Sequence, residues 1–367
     1  MKNYKEARRF VNVRMKKSLL IAIAIGTLLF VMVVSNDDLR RIVPFMSQVE
    51  APDISCYDVT KIYTKHVELP DFETPTSDRN IFFHETSCFN DDQGLLKVRQ
   101  ACAVESAALM NPSTIVYLLF VSWSKFTNTS RNFVQQLSTY DNIKIRHIVI
   151  DDYLRNTPLA EWYASGVLKR SQWPKSHISD ILRYLTLWKY GGIYLDLDVV
   201  VTSSLENLLN FAGAEDREDV AAGVIGFSPT GLGHKLADEC LRDLQSNFRG
   251  DVWGHNGPGV ITRTLKKLCG TRYTKDMTSR KCHGFKVFPP SAFYPIHYKK
   301  WRKYFETKDA NATMKILQKA KAIHVWNKLS ESRSIKVGSK VPYAIIAEKY
   351  CPKIYRSAEG ADVAISN

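Results

Sequence analysis

Apolar positions along this chain fall into blocks of two different periods, and the blocks alternate. Asn80 to Thr86, Thr114 to Ser122 and Ile143 to Ile150 are short runs rich in β-branched and aromatic residues, the pattern of buried strands. Between them, Lys97 to Met110 and Arg131 to Tyr140 repeat apolar residues at three-to-four spacing, which predicts helices, the first stopped by Pro112. From Ser176 the alternation continues. Ile178, Ile181, Leu182 and Leu185 line one helical face, Gly191 and Gly192 supply a stop, and Ile193 to Val201 reads as a strand covered on both faces. Further helices are predicted near Ser204 to Phe211, Gly233 to Phe248 and Asn256 to Cys269, with strands at Val220 to Phe227 and Ala322 to Trp326. Strands separated by helices predict an α/β fold with a mainly parallel sheet, and a nucleotide would sit at the carboxyl ends of its strands.

The N-terminus carries a different pattern. Ser18 to Ser35 is an 18-residue uncharged run, about 27 Å long as a helix, enough to cross a thinner bilayer. Basic residues before it and Asp37 and Asp38 after it place the N-terminus in the cytoplasm and the remainder in the lumen. Its apolar core is longer than that of a cleaved signal sequence, so a retained anchor is expected. Five segments are expected: a cytoplasmic tail (1–17), a transmembrane signal-anchor (18–35), a Pro-punctuated stem (36–78), a lumenal domain (79–355) and a C-terminal tail (356–367).

Charge and cysteine content refine the picture. The formal charge is +14, which by itself raises nucleic acid as a partner, yet seven basic residues against Glu6 alone lie in the first 17 positions. No aromatic-basic recognition motif accompanies them, so no nucleic acid is expected. All seven cysteines follow the apolar run, where a lumenal setting permits disulfides and an odd count leaves at least one free or paired between chains. Cys269 and Cys282 bracket a short basic segment and are the favoured pair. Two sequons, at Asn128 and Asn311, become glycosylation candidates in a lumenal chain.

Two carboxylates interrupt the strand predicted at Ile193 to Val201. Asp196 and Asp198 stand two apart, so strand geometry turns both to one side. Charges in such apolar surroundings need a cation or a solvated edge, and oxygen ligands on a rigid element suit Mg²⁺ or Mn²⁺, which in turn suit a diphosphate. An Asp-x-Asp triplet alone is common. Here Asp180 and Arg183 lie one turn apart on the preceding helix, in the same unit. No GxGxxG follows a strand, and the glycines of 223–235 lack phosphate-loop spacing, so phosphate binding rests on metal and cations.

The string Ser179-Asp180-x-x-Arg183-Tyr184, followed by Tyr190-Gly191-Gly192-Ile193-Tyr194-Leu195-Asp196-x-Asp198, resembles the donor-sugar-binding region of metal-dependent glycosyltransferases. Trp253 to Pro258, Phe288 to Pro295 and His324-Val325-Trp326-Asn327-Lys328 are similar to blocks of the α1,4-glycosyltransferase family, as are Ile81 to Ser87 and Cys102 to Ala108. The resemblance spans about residues 79 to 355. It implies a GT-A-type fold and retaining transfer of galactose or N-acetylgalactosamine from a UDP-sugar to a glycosphingolipid at the Golgi membrane. It also implies metal ligands Asp196, Asp198 and a late histidine, His324. Arg183 would add positive charge at the leaving group, and Asp180 with Tyr194 would hold the donor. Trp326 and Lys328 would border the diphosphate, and His255 and Asn256 would line the reaction centre on the acceptor side. Departures from the family pattern are Leu197, where Thr is expected, and Asn256, where Gln is expected. The alternatives are an α1,4-N-acetylglucosaminyltransferase acting on O-glycans and a non-catalytic lumenal relative; a glycoside hydrolase would need no metal. A homo-oligomer is compatible with the sequence.

Overall fold

The computed structural model describes residues 54–57, 69–77, 79–88, 96–122 and 126–358. The cytoplasmic tail, the apolar run at 18–35, most of the stem and the last nine residues lie outside the described residues. All described residues belong to one unit, Pro52–Asn367. Among them no helix is long and apolar enough to cross a membrane.

A seven-stranded sheet forms the centre, in the order β3-β2-β1-β4-β7-β6-β8. Strands β1 (Asn80–Glu85), β2 (Ile115–Phe120), β3 (Ile143–His147) and β4 (Gly192–Leu195) are mutually parallel. Between them run helices α1 (Val98–Met110), α2 (Asn128–Leu137) and α3 (Pro174–Tyr190). A short strand, β5 (Val199–Val201), then leaves the sheet. The far half is mixed: β7 (Val220–Phe227) runs antiparallel to both β4 and β6 (Phe211–Ala214), while β8 (Lys286–Phe288) runs parallel to β6. Helices α4 (Gly231–Asn247) and α5 (Pro258–Cys269) pack on β7, and β9 (Ala322–His324) pairs antiparallel with β5 as a separate ribbon.

Alternation along the strands explains the two-sided burial. Ile81 and Phe83 enter one apolar cluster with α1, α2 and the C-terminal segments, whereas Phe82 enters the other with α3, α4 and α5. The turn joining α3 to β4 depends on its two glycines. Gly191 and Gly192 have φ of +64° and +88°, and a Cβ at Gly191 would stand 2.5 Å from Pro229 N.

Three sequence expectations need correction. Ile193 to Val201 is two strands in different sheets, broken at Asp196–Asp198, because Asp196 N–H still donates to Gly223 O but Val199 N–H turns back to Asp196 O. The helix expected near Ser204 to Phe211 does not form. Asn111 Oδ1 accepts from Leu205 N–H, Ser204 Oγ accepts from Glu206 N–H, and Asn210 adopts φ +52°, so side chains and a left-handed turn claim the backbone that a helix would use. The late strand stops at His324, since Val325 N–H turns to Asp198 O and Trp326 takes φ +58°.

Cysteines pair as Cys56–Cys88, Cys102–Cys351 and Cys269–Cys282, the last as expected. Cys240 is the free thiol and is buried, which removes it as a link between chains.

Candidate active site

The turn between β4 and β5, the end of β9 and the middle of α3 converge. Asp196 and Asp198 flank the turn, and pairing of Val199 with His324 in the β5–β9 ribbon delivers the imidazole to them. His324 Nε2 lies 3.0 Å from Asp198 Oδ1 and 3.7 Å from Asp196 Oδ2. One ligand atom from each of the three residues falls within 4.8 Å of the others, the grouping expected of a metal site. The carboxylates thus share a side for a reason other than strand alternation: the turn between them, closed by the ribbon, aims both at one histidine. Space for the cluster is left by β7. A Cβ at Gly223 would stand 2.7 Å from Asp196 Oδ2 and 3.1 Å from His324 Cδ2.

Arg183 bridges the second pair of carboxylates. Its Nη2 is 3.2 Å from both Asp180 Oδ1 and Asp196 Oδ1, and its guanidinium lies 4.9 Å from the centre of the Tyr194 ring. Tyr194 Oη donates to Asp196 Oδ1 at 2.8 Å. Asp180, one turn before Arg183, is thus an ion-pair partner, but it is buried, and its electrostatics are unusual. Burial pushes its carboxyl up to about 7, and Asp196 adds to the rise, while Arg183 opposes it. Burial also opposes ionisation of Asp196, yet Arg183 and His324 outweigh it and hold that carboxylate below its ordinary range. For His324, burial works against the imidazolium, but Asp198 and the hydrogen bonds to both carboxylates push its pKa up to about 10. Two anions crowding one imidazole is the electrostatic condition that a divalent cation would relieve.

The remaining expected residues are placed less uniformly. Trp326 packs at a tilt against His324 with ring centres 4.2 Å apart and donates its Nε1–H to Ile296 O, so it borders the cluster. Lys328 does not: it is exposed, and its ammonium sits 3.8 Å from Glu331. Asn256, expected to line the reaction centre, instead closes its own loop, its carboxamide accepting from Arg249 N–H and donating to Arg249 O. The loop itself does reach the site. A Cβ at Gly257 would overlap the Asp180 carboxylate, and Gly257 O accepts from Tyr184 Oη at 2.6 Å. His255 is half-buried, its carbonyl accepting from Arg263. Asn128 and Asn311 are exposed, at the start of α2 and on α6 (Ala310–Leu317).

Some site residues escape the sequence pattern. Tyr294 is buried, its ring 5.4 Å from His324. Glu215 is half-buried at the β6–β7 connection and lines a cavity of about 360 Å³ with Asp219, Pro258, Thr262, Arg263 and Lys266. Burial raises its carboxyl pKa, and the His324 charge pulls the other way, which relates the cavity to the acidic cluster. Gly223 carried a signal, as a glycine inside a strand marks a close approach; Glu215 carried none.

Comparison with known proteins agrees with this geometry. Residues 97–215 match the glycosyltransferase sugar-binding region containing the DXD motif, and residues 229–358 match the alpha 1,4-glycosyltransferase conserved region. A lactosylceramide 4-alpha-galactosyltransferase of Rattus norvegicus is 34% identical over 306 residues, 82% of each chain. The chain belongs to the α1,4-glycosyltransferase family. Another relative, the alpha-1,4-N-acetylglucosaminyltransferase of Homo sapiens, is 30% identical over 285 residues, 76% of this chain and 80% of that one. Among solved structures, PaToxG glycosyltransferase is 16% identical, covering 78% of this chain and 88% of its own, with a TM-score of 0.39. Within the family matches, Asp180, Arg183, Asp196, Asp198 and Glu215 fall in the DXD region, and His255, Asn256, His324, Trp326 and Lys328 in the α1,4 region. The cluster is therefore assembled from both.

Proposed function

We propose that this chain is a Golgi, single-pass type II membrane enzyme with a GT-A-type fold. It moves galactose or N-acetylgalactosamine from a UDP-sugar to a glycosphingolipid, with retention and α1,4 linkage, using Mn²⁺ or Mg²⁺. The observation that carries the reading is the convergence of Asp196, Asp198 and His324 within 4.8 Å, beside the Asp180–Arg183 pair. Two carboxylates and one imidazole meeting at one turn suit a divalent ion such as Mn²⁺ or Mg²⁺, and the missing side chain of Gly223 is what lets Asp196 and His324 come together there.

Asp196, Asp198 and His324 would hold the ion, which when bound supplies Lewis-acid stabilisation of the departing diphosphate. Arg183 brings a buried, fixed positive charge to the same place, pre-oriented by two carboxylates, so no reorganisation is needed as negative charge grows on the leaving oxygen. Asp180 accepts hydrogen bonds from donor hydroxyls and sets the angle of the sugar. Trp326 closes one wall against water. In the transfer, the bond from the anomeric carbon to the phosphate oxygen breaks, and the acceptor hydroxyl oxygen bonds to that carbon. The hydroxyl proton passes to the departing phosphate oxygen on the same face, so no protein nucleophile is assigned. The cavity lined by Glu215, Thr262 and Arg263 is the acceptor side.

Full-length protein would be offered labelled UDP-Gal, UDP-GalNAc and UDP-GlcNAc in turn, with lactosylceramide in vesicles and Mn²⁺ or EDTA. Metal-dependent labelling from UDP-Gal or UDP-GalNAc is expected. Labelling from UDP-GlcNAc alone, with O-glycan acceptors preferred, would transfer the assignment to the second relative's activity. Transfer that survives EDTA would remove the metal site.

A further inference from the structure

Three of the six exposed large apolar side chains among the described residues occur together: Trp173, Val252 and Trp253, at 38%, 40% and 53% exposure. They come from two segments locked to each other. Gln172 N–H donates to Gly250 O at 2.9 Å, the Trp173 ring meets His177 edge-on at 6.0 Å, and the backbone of Val252 and Trp253 faces the same imidazole. His177 lies on α3, one turn before Asp180. The loop is stiff: Asn256 fastens both its ends to Arg249, Arg249 pairs with Asp251, and Gly257 abuts Asp180. A rigid frame that leaves two tryptophans in water beside an active site is an interaction surface rather than a packing accident.

Its chemistry selects the partner. Tryptophan prefers the boundary between water and hydrocarbon, where ring and indole N–H are both satisfied. Exposed Lys169 and Arg170 flank the patch, cations suited to lipid phosphates, while Arg249 is held by Asp251. Resting on the glycolipid reading above, we propose that Trp173, Val252 and Trp253 are a lipid-contacting face that seats the catalytic domain on the bilayer, so that an acceptor headgroup enters on the Asp180 side. The N-terminal anchor supplies proximity to the membrane; this face supplies orientation.

The test compares one headgroup presented in two ways. Full-length wild type and Trp173→Ser/Trp253→Ser would be reconstituted in phosphatidylcholine vesicles and assayed with lactosylceramide in the same bilayer, or with free lactose. The double variant is expected to raise the apparent KM for lactosylceramide roughly tenfold, as loss of an interfacial aromatic pair implies. Its KM for lactose and for the donor should stay at the wild-type values. Trp253→Tyr, which keeps an interfacial ring, should restore most of the loss. Equal loss on both acceptors would instead make the tryptophans a sugar-stacking platform, and unchanged kinetics on both would leave the patch idle; either overturns the proposal. A change in oligomeric state of the variant with unchanged lipid dependence would reassign the face to a second copy. Wild type inactive on both acceptors would refute the glycolipid reading itself.

Discussion

Gly223 matters for what it lacks. Its missing side chain is the volume into which Asp196 Oδ2 and His324 project, and a methyl group there would stand 2.7 Å from the carboxylate. Gly223→Ala is expected to push both ligands apart and weaken Mn²⁺ binding, with transfer falling roughly a hundredfold if even about 1 Å of displacement results. Titration calorimetry with Mn²⁺ alone checks the first and the donor assay the second. Asp198→Ala removes a ligand outright and should abolish metal-dependent transfer while thermal unfolding stays cooperative. Asp180 makes a pH prediction. Its pKa rises from 3.8 to about 7 on folding, so between those values the folded chain binds more protons than the unfolded one. Its contribution to stability is therefore greatest at low pH and is lost as pH climbs through 4 to 7. Asp180→Asn, a mimic of the protonated acid, should be more stable than wild type by roughly 4 kcal/mol at pH 8 and about equal at pH 4, yet inactive. Denaturant titrations at both pH values decide it; an advantage that shrinks with rising pH would contradict the assignment.

At the scale of elements, the hydrophobic pattern carried most of the parallel half of the sheet. β1, β2, β3, α1 and α3 each have one dominant periodicity, and nothing local competes with it. Where local hydrogen bonding or a distant strand takes over, the pattern misleads. The apolar run after Ile193 looks continuous because both of its halves are buried, and the residues that divide it, Asp196 to Asp198, differ from a strand only through partners at Gly223 and Val325 far along the chain. β6 and β8 are short and were invisible for the same reason. Asp196 and Asp198 were legible because two carboxylates in an apolar run are costly to bury, whereas His324 was legible only through the family resemblance; the block 253–258 was legible the same way, and its Asn256 is the clasp that closes the loop on Arg249. One element junction permits a sharp test. Gly191 has φ +64° and no room for a Cβ beside Pro229. Gly191→Ala should cost roughly 2–4 kcal/mol, read from urea unfolding, since backbone strain and overlap add.

Across the whole molecule, the site is held from behind by segments remote in sequence. Asp198 Oδ2 accepts from Asn327 N–H at the start of α7 (Asn327–Ser330), and the buried Arg99 on α1 donates to Ser330 Oγ at 2.7 Å and to Arg333 O. Further on, α8 (Pro342–Tyr350) and α9 (Pro352–Ser357) pack on α1, where Glu105 accepts from Lys353 N–H and Ile354 N–H. The Cys102–Cys351 disulfide fastens this arrangement, closing a separation of 249 residues. A link of that span constrains the unfolded chain strongly, so Cys102→Ser/Cys351→Ser should lose about 3–5 kcal/mol of stability. Because Arg99 and Glu105 keep their own partners, the active cluster should survive below the lowered midpoint. The expected result is a lower melting temperature with wild-type Mn²⁺ affinity at 10 °C. A variant that remains as stable as wild type would show that packing of α8 and α9 suffices, whereas lost Mn²⁺ binding in the folded variant would show that the disulfide reaches the ligands through α1 and Arg99.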